Sequence, residues 1–505
     1  MSEGAETPAV TRGEVARGAA LAGLSRLGAL IEAVAQPVYT WLFGIATYGL
    51  YVVLWAAVSL ATNILTLSMN SALQRIVPSK ESETEIHGAV KLALVVPVGL
   101  ALLVALLVTI EARDMAALVS AAPEDAERLP AAIALFAWAL PLWTFIEVAT
   151  AAARARRAFG PEIRLRIFWE QIARILFALG FFLIGFESHG LMLAHLSSLA
   201  LTAALCVPLL RRYYDLGQLV RAPIPARVVR ELMGTGLGLF PADLSRRALI
   251  DAPGIVLNQM FPGAAGATAA GLFEIARKLS TIPLIVRQAF QYVLAPLSSA
   301  QARSDRSQIA PLYHFASRVS TALVVPLAGL LIFAGVDILS VYRPEAQAAL
   351  PILYILVAAR GVEAIVGPAS VVVEMTVHRI LPAVNSLIAV AVWIGLGWWL
   401  VPAYGAVGMA IAVGAATVTS TYAATIELRI SDGLTPFGGR LLQGFGIAIA
   451  GVAIMGAAEY FANGPVRFVW VLATWAATSW LALRHGLTRD ERLALGGLSR
   501  RLRLV

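Results

Sequence analysis

A 505-residue chain that is 59% hydrophobic and only 14% charged is not a soluble globular protein, in which charged residues make up roughly a quarter. The formal net charge of +8 would suit nucleic acid, but the basic residues sit in short loops between apolar runs, so no nucleic-acid partner is expected. The single cysteine, Cys206, lies inside an apolar run, which excludes an intramolecular disulfide or a cysteine metal site.

Residues 1–18, MSEGAETPAVTRGEVARG, are polar with no small-residue cleavage site close behind them. That is the pattern of an uncleaved cytoplasmic start, not of a signal peptide. Apolar runs then recur to residue 484, among them 48–70, 166–186, 232–261, 268–296, 380–401 and 404–427. At about 20 residues per crossing plus a short loop, they predict about fourteen transmembrane helices in an all-α polytopic membrane protein. Lys and Arg are sorted between the loops. With the N-terminus inside, the inner segments take Arg75, Lys80, Lys91, a run from Arg154 to Arg166, another from Arg211 to Arg230, and the arginines of the tail. The outer loops keep only Arg113, Arg128, Arg343 and Arg467. This bias places both termini in the cytoplasm. The excess of Arg over Lys, a mark of GC-rich coding, points to a bacterial inner (plasma) membrane.

An internal repeat is visible. Leu94-Val-Val-Pro97 matches Leu323-Val-Val-Pro326, Tyr48-Gly-Leu-Tyr51 matches Ala270-Gly-Leu-Phe273, Pro78 matches Pro296, and Gly190 matches Gly408, each displaced by about 220 residues. The chain therefore divides into a cytoplasmic N-terminus (1–18), an N-lobe of six spans (19–210), a cytoplasmic inter-lobe loop (211–231), a C-lobe of six spans (232–427), two extra helices (428–484) and a basic amphipathic cytoplasmic tail (485–505). Six is even, so the two lobes are pseudo-symmetric about an axis along the membrane normal, with the cargo between them.

The most charged apolar stretch runs from Phe240 to Arg303. Asp243, Arg247 and Asp251 follow at i, i+4, i+8 and share one helix stripe; Glu274 and Lys278 repeat the spacing in the next span, with Arg277 alongside and Arg287 further on. A charge near the bilayer centre costs roughly 2.5–3.5 kcal/mol, so these groups face protein or a wet cavity. Two readings follow: Arg247 and Asp251 neutralise each other, or the stretch lines a polar cavity for an anionic cargo. The candidate cargo-binding cations are Arg246, Arg247, Arg277, Lys278, Arg287 and Arg360, because guanidinium forks grip phosphate oxygens bidentately. The carboxylates with a coupling or structural role are Glu32, which precedes Gln36 and Pro37, together with Asp251, Glu274 and Glu363. Glu170 and Arg174 read as an i, i+4 structural pair. No metal-ligand spacing, phosphate loop or nucleophile elbow is present, so neither cofactor nor metal is expected.

The stretches FGIATYGLYVVLWAAVSLATNILTLSMNSALQRIVP, RALIDAPGIVLNQMFPGAAGATAAGLFEIARKLSTIPLIVRQAFQYVLAPLSSA and LVPAYGAVGMAIA resemble the polysaccharide-transporter branch (Wzx-type flippases) of the multidrug/oligosaccharidyl-lipid/polysaccharide exporter superfamily. Asp251, Gly271, Phe273 and Pro296 occupy places that recur in that family's seventh and eighth helices. The unusually charged seventh and eighth helices depart from its pattern. The resemblance implies a two-lobed alternating-access transporter, not an enzyme, that moves a polyprenyl-diphosphate-linked oligosaccharide to the outer leaflet. The partners expected beside the cargo are membrane lipids, H+ or Na+ as coupling ion at Glu32, and a glycan polymerase or export machinery as the next station. The competing functions are a lipid II flippase, a cation-coupled drug antiporter of the same superfamily and, in a different class, a membrane glycan polymerase or ligase.

Overall fold

The computed structural model describes residues 31, 34–156, 158, 160, 163–186, 189–286, 309–367, 369–375, 381–495 and 497–504. Among them there is no strand, as expected where every backbone N–H and C=O must find a partner inside its own segment. Helix α1 (34–43) stops at Gly44, whose φ of +83° a side chain would disfavour, and α2 (Ile45–Thr66) follows directly. α3 (Met69–Ile76), α4 (Glu83–Ile110) and α5 (Leu129–Ala155) come next. A seven-residue π-helical stretch, Ile163–Trp169, leads into α6 (Glu170–Leu183), and α7 (Gly190–Tyr213) closes the first lobe. The second lobe holds α8 (Ala226–Met260), α9 (Ala264–Leu279), α10 (Ile309–Phe333), α11 (Leu350–Ile365) and α12 (Leu381–Asp432). α13 (Gly439–Phe461) and α14 (Gly464–Gly486) pack against each other and on α10.

α2 is the axis of the molecule. It touches α8 and α9 as well as its own lobe, and 67% of its apolar window is buried, against 28% for the lipid-facing α4. The apolar run predicted one helix to residue 70. Instead α2 ends at Leu67 and Ser68, both left-handed at φ 45° and 55°, before α3 begins. Each such residue costs roughly 1–2 kcal/mol, so the break must be held from outside. Gly236 of α8 presses against it, close enough that a β-carbon there would lie 2.6 Å from the Leu67 carbonyl oxygen.

At 52 residues, α12 laid out straight would reach about 78 Å, more than twice the roughly 30 Å of hydrocarbon. It folds back instead. Gly405 takes φ +56°, Trp393 Nε1 donates to Met409 Sδ at 3.2 Å, and Asn385 Nδ2 donates to Glu427 Oε2 at 2.7 Å. The two arms match the spans expected at 380–401 and 404–427. Counting α12 once, nine helices among the described residues are long and apolar enough to cross a membrane. α8 is interrupted by charge, and α6 and α9 have only 14 and 16 described helical residues. These three carry the cavity charges.

The repeat has a physical counterpart. A β-carbon on Gly49 would fall 1.8 Å from the carbonyl oxygen of Ala267, and one on Gly271 would fall 2.7 Å from that of Ile45. Gly49 and Gly271 are repeat mates, and so are Ile45 and Ala267. The contact is reciprocal, which is the signature of a two-fold axis passing through it. The matched prolines likewise sit inside corresponding helices, Pro97 in α4 and Pro326 in α10.

The tail folds back on the second lobe: Leu487 and Leu504 are buried, Trp480 Nε1 donates to the Leu502 carbonyl at 2.8 Å, and Arg318 of α10 pairs with Glu491 at 2.9 Å. Arg500, Arg501 and Arg503 remain exposed.

Candidate functional site

Between the lobes lies a polar cavity of about 160 Å³. The first lobe supplies Gln36 and Tyr39 from α1, Tyr48, Tyr51 and Trp55 from α2, and Gln171 and Arg174 from α6. The second lobe supplies Arg247 and Asp251 from α8 and Glu274, Arg277 and Lys278 from α9. The spacing explains the gathering: i, i+4 on α8 and i, i+3, i+4 on α9 turn these charges to one side of each helix. The wall carries Arg174, Arg247, Arg277 and Lys278 against Asp251 and Glu274, so positive charge prevails.

The two sequence readings of Arg247 and Asp251 turn out to be compatible. Arg247 Nε lies 2.7 Å from Asp251 Oδ2, and its Nη2 donates to Ser59 Oγ across the lobe seam, yet both residues stay on the cavity wall. Arg277 grips Glu274 through Nε at 2.7 Å and Nη2 at 2.6 Å, whereas Lys278 Nζ stands 4.0 Å from the same carboxylate. Each of these cations stands against an acid of its own helix. Tyr48 and Gln36 complete a polar rim: Gln36 Nε2 donates to Tyr48 Oη at 2.9 Å, and Tyr342 Oη donates to Gln36 Oε1 at 3.1 Å.

Two of the nominated cations stand elsewhere. Arg246 is 56% exposed and donates to Asp243 at 2.6 Å, because a one-residue step on a helix swings a side chain about 100° away from Arg247. Arg360 donates to Glu363 at 2.7 Å on α11, away from the cavity lining, and Glu363 also accepts from Thr421 Oγ1 at 3.3 Å. Glu32 and Arg287 lie outside the described residues. Arg246→Ala should therefore change transport less than about fivefold, an exposed pair being worth about 0–1 kcal/mol. Arg360→Ala takes the guanidinium from a carboxylate 5% exposed and should destabilise the protein by about 3–5 kcal/mol, read as a fall in Tm.

The structure adds residues that the sequence reading passed over. Arg174 faces the cavity from behind a local pair with Glu170, and the aromatic wall of Tyr39, Tyr51 and Trp55 comes from faces of α1 and α2 that hydropathy alone does not separate from lipid-facing ones. The signal for Arg174 was its place inside the apolar run 166–186.

Both ends of the seam are in contact. At the expected outer end, Trp41 Nε1 donates to the Val341 carbonyl at 2.8 Å, Arg343 Nη2 to the Trp41 carbonyl at 2.9 Å, and Asn258 Nδ2 to the Ser120 carbonyl at 2.7 Å. At the expected inner end, Lys80 Nζ pairs with Glu231 of α8 at 2.6 Å, and Ser71 Oγ donates to Asp243 at 3.2 Å. The acidic loop between α4 and α5 is not simply solvated: Asp125 is 3% exposed, accepts from Thr47 Oγ1 at 2.8 Å, and leaves Oδ1 without a hydrogen-bond partner.

Burial raises the Asp125 pKa against the lowering effect of the Thr47 hydroxyl. A carboxyl whose folded pKa exceeds its unfolded one stabilises the fold while protonated and loses that contribution as pH rises from the unfolded value through the folded one. Asp125→Asn should thus raise Tm near neutral pH, with the gain vanishing below about pH 4, where wild type is protonated as well.

A second cavity, about 680 Å³ and apolar, opens beside the first. Its walls are Val34, Pro37, Val38 and Trp41 of α1, Leu279 of α9, Val341, and Phe468 of α14. It shares α1 and α9 with the cationic cavity, so one helix pair separates a charged chamber from an apolar one. Among the described residues no group of His, Cys, Asp and Glu is arranged to hold a metal.

Two helical lobes around a charged central cavity define a multi-pass membrane transporter. Comparison with solved structures gives the same fold. The lipid II flippase MurJ in an inward closed conformation superposes with a TM-score of 0.73 at 11% identity, over 92% of this chain and 97% of that one. An inward-facing multidrug resistance MATE family transporter of the MOP superfamily gives 0.61 at 13% identity, covering 86% and 94% of the two chains. An outward-facing one gives 0.59 at 12%, covering 87% and 95%. No curated protein matches the sequence. The chain belongs to the polysaccharide biosynthesis protein family, whose profile matches residues 41–342.

Proposed function

We propose that this protein is an alternating-access flippase that carries a polyprenyl-diphosphate-linked oligosaccharide from the cytoplasmic to the outer leaflet of a bacterial inner membrane, for assembly by a glycan polymerase or export machinery. The observation that carries this reading is the pair of chambers on either side of α1 and α9, one cationic and one apolar. Such a pair suits a single amphiphile with a diphosphate head and a long hydrocarbon tail. A diphosphate cannot enter about 30 Å of hydrocarbon unaided, and Arg174, Arg247, Arg277 and Lys278 offset its charge. α14 forms part of the tail groove, which gives the extra pair of helices a role.

At about 160 Å³ the central cavity is below the roughly 300–1,000 Å³ of ordinary ligand pockets. The described conformation is therefore a closed one, and cargo enters only when the lobes part at one end. A lipid II flippase is the nearest alternative, since its cargo is also a lipid diphosphate; a cationic-drug antiporter is disfavoured because the prevailing charge of the wall repels its substrate. The test is flipping of a fluorescent lipid-linked oligosaccharide in proteoliposomes, run beside efflux of a lipophilic cation. Flipping without efflux supports the reading, and efflux without flipping rejects it.

A further inference from the structure

Behind the cavity wall lies a polar cluster of which the cargo reading uses only Arg174. Arg174, whose side chain is 9% exposed, donates through Nη2 to Glu170 Oε1 and through Nη1 to Tyr51 Oη at 3.2 Å. Glu170 is 2% exposed and His195 is fully buried. The imidazole Nδ1 meets Tyr51 Oη at 3.0 Å, while Nε2 has no hydrogen-bond partner and points at Glu170 Oε1 from 3.7 Å. Trp55 covers the ring at 4.2 Å between centroids and Phe136 at 5.8 Å. The groups around the pair are Arg174 and Gln171 on α6, Tyr51 on α2, and Gln36 and Tyr39 on α1. Across the cavity stand Arg247 with Asp251 on α8, and Glu274 with Arg277 and Lys278 on α9. Arg166 of the π-helical stretch is taken by Glu147 at 2.7 Å.

We infer that Glu170 and His195 form a proton-binding pair whose occupancy is linked to anion binding in the cavity through Arg174. The inference rests on the diphosphate reading. Among the described residues Arg174 is the one Arg or Lys paired with Glu170, and it is also a wall residue. A diphosphate that draws the guanidinium fork toward itself leaves the carboxylate buried and uncompensated, which is unfavourable. One proton taken from solvent through the opened cavity restores neutrality. It settles between Glu170 Oε1 and His195 Nε2, the two facing atoms, and belongs to the pair rather than to either residue. When the cargo leaves, Arg174 returns and the proton is released. Coupling of this kind is reciprocal: acid favours loading as much as loading favours proton uptake.

The experiment uses the full-length protein in detergent and farnesyl diphosphate as probe, titrated calorimetrically at about pH 8 in two buffers of different ionisation enthalpy, where the probe's own phosphates, with a second pKa of about 6, are fully ionised. The expected result is uptake of close to one proton per probe bound, with affinity falling up to about tenfold per pH unit. Glu170→Gln should abolish the uptake, flatten the pH profile and bind more tightly than wild type at about pH 8, because the neutral amide no longer holds Arg174 as an ion pair. Wild-type binding without proton uptake overturns the inference with no need of a variant. Equal uptake by wild type and Glu170→Gln places the proton elsewhere and overturns it too. No binding by wild type overturns the diphosphate reading along with it.

Discussion

Alanine at Gly49 should stop transport while leaving a folded, membrane-inserted protein. The added carbon would stand 1.8 Å from the Ala267 carbonyl oxygen, 2.8 Å from its carbon and 2.9 Å from the Gly271 nitrogen. All three are backbone atoms, so no side chain can rotate aside and the helices themselves must separate. Overpacking of this kind costs typically 1–3 kcal/mol. It falls on the contact between the lobes, not on the packing within either one, so it acts on the closed state: at about 1.4 kcal/mol per factor of ten, that state loses roughly five- to hundredfold relative to the open one. A cysteine at Ala56, on the cavity wall and 5% exposed in the closed form, reports this directly. Its reaction with a membrane-impermeant maleimide added from outside should quicken at least about fivefold in the Gly49→Ala background. The native Cys206 is buried and gives little background. Gly271→Ala, aimed at the Ile45 carbonyl, should do the same. Transport at the wild-type rate in both variants would mean that the seam does not gate.

Arg277→Ala should reduce transport by about a hundredfold or more, and the loss has two separable parts. The substitution takes a bidentate partner from Glu274; breaking a buried pair from one side costs about 3–5 kcal/mol, mostly as the penalty on the charge left behind. Glu274→Gln added to Arg277→Ala removes that charge and should restore most of the lost Tm. Transport should stay low in the double variant, because the guanidinium that grips the diphosphate is still missing. Recovery of transport together with Tm would show that Arg277 is only structural and would remove it from the cargo site.

Much of this architecture was legible in the residues. The turn at Gly405 falls just past the break expected between the runs 380–401 and 404–427, and Gly49 and Gly271, aligned in the repeat, make the reciprocal contact, because a repeat imposes equivalent geometry on equivalent positions. Asp251, Glu274, Arg277 and Lys278 were nominated from helical spacing, and all of them reach the cavity wall. What spacing does not encode is which side of a helix meets its neighbour. Arg246 was grouped with Arg247 although the next residue on a helix faces elsewhere. Arg174 was set aside because a local partner, Glu170, explained it, whereas the structure shows it both partnered and facing the cavity. The left-handed step at Leu67 and Ser68 has no local signal, since neither residue favours it. It exists because Gly236, far along the chain, leaves room and α8 holds it.

The Gly49–Gly271 seam also bears on ancestry. A half-length forerunner carrying one such glycine could have met its own copy through that spot alone, since a patch lying on a dyad is satisfied by an identical patch. In the joined chain the two halves differ elsewhere, one holding Glu170 and His195 and the other the charged α8 and α9, while the backbone at the meeting point is bare on both sides.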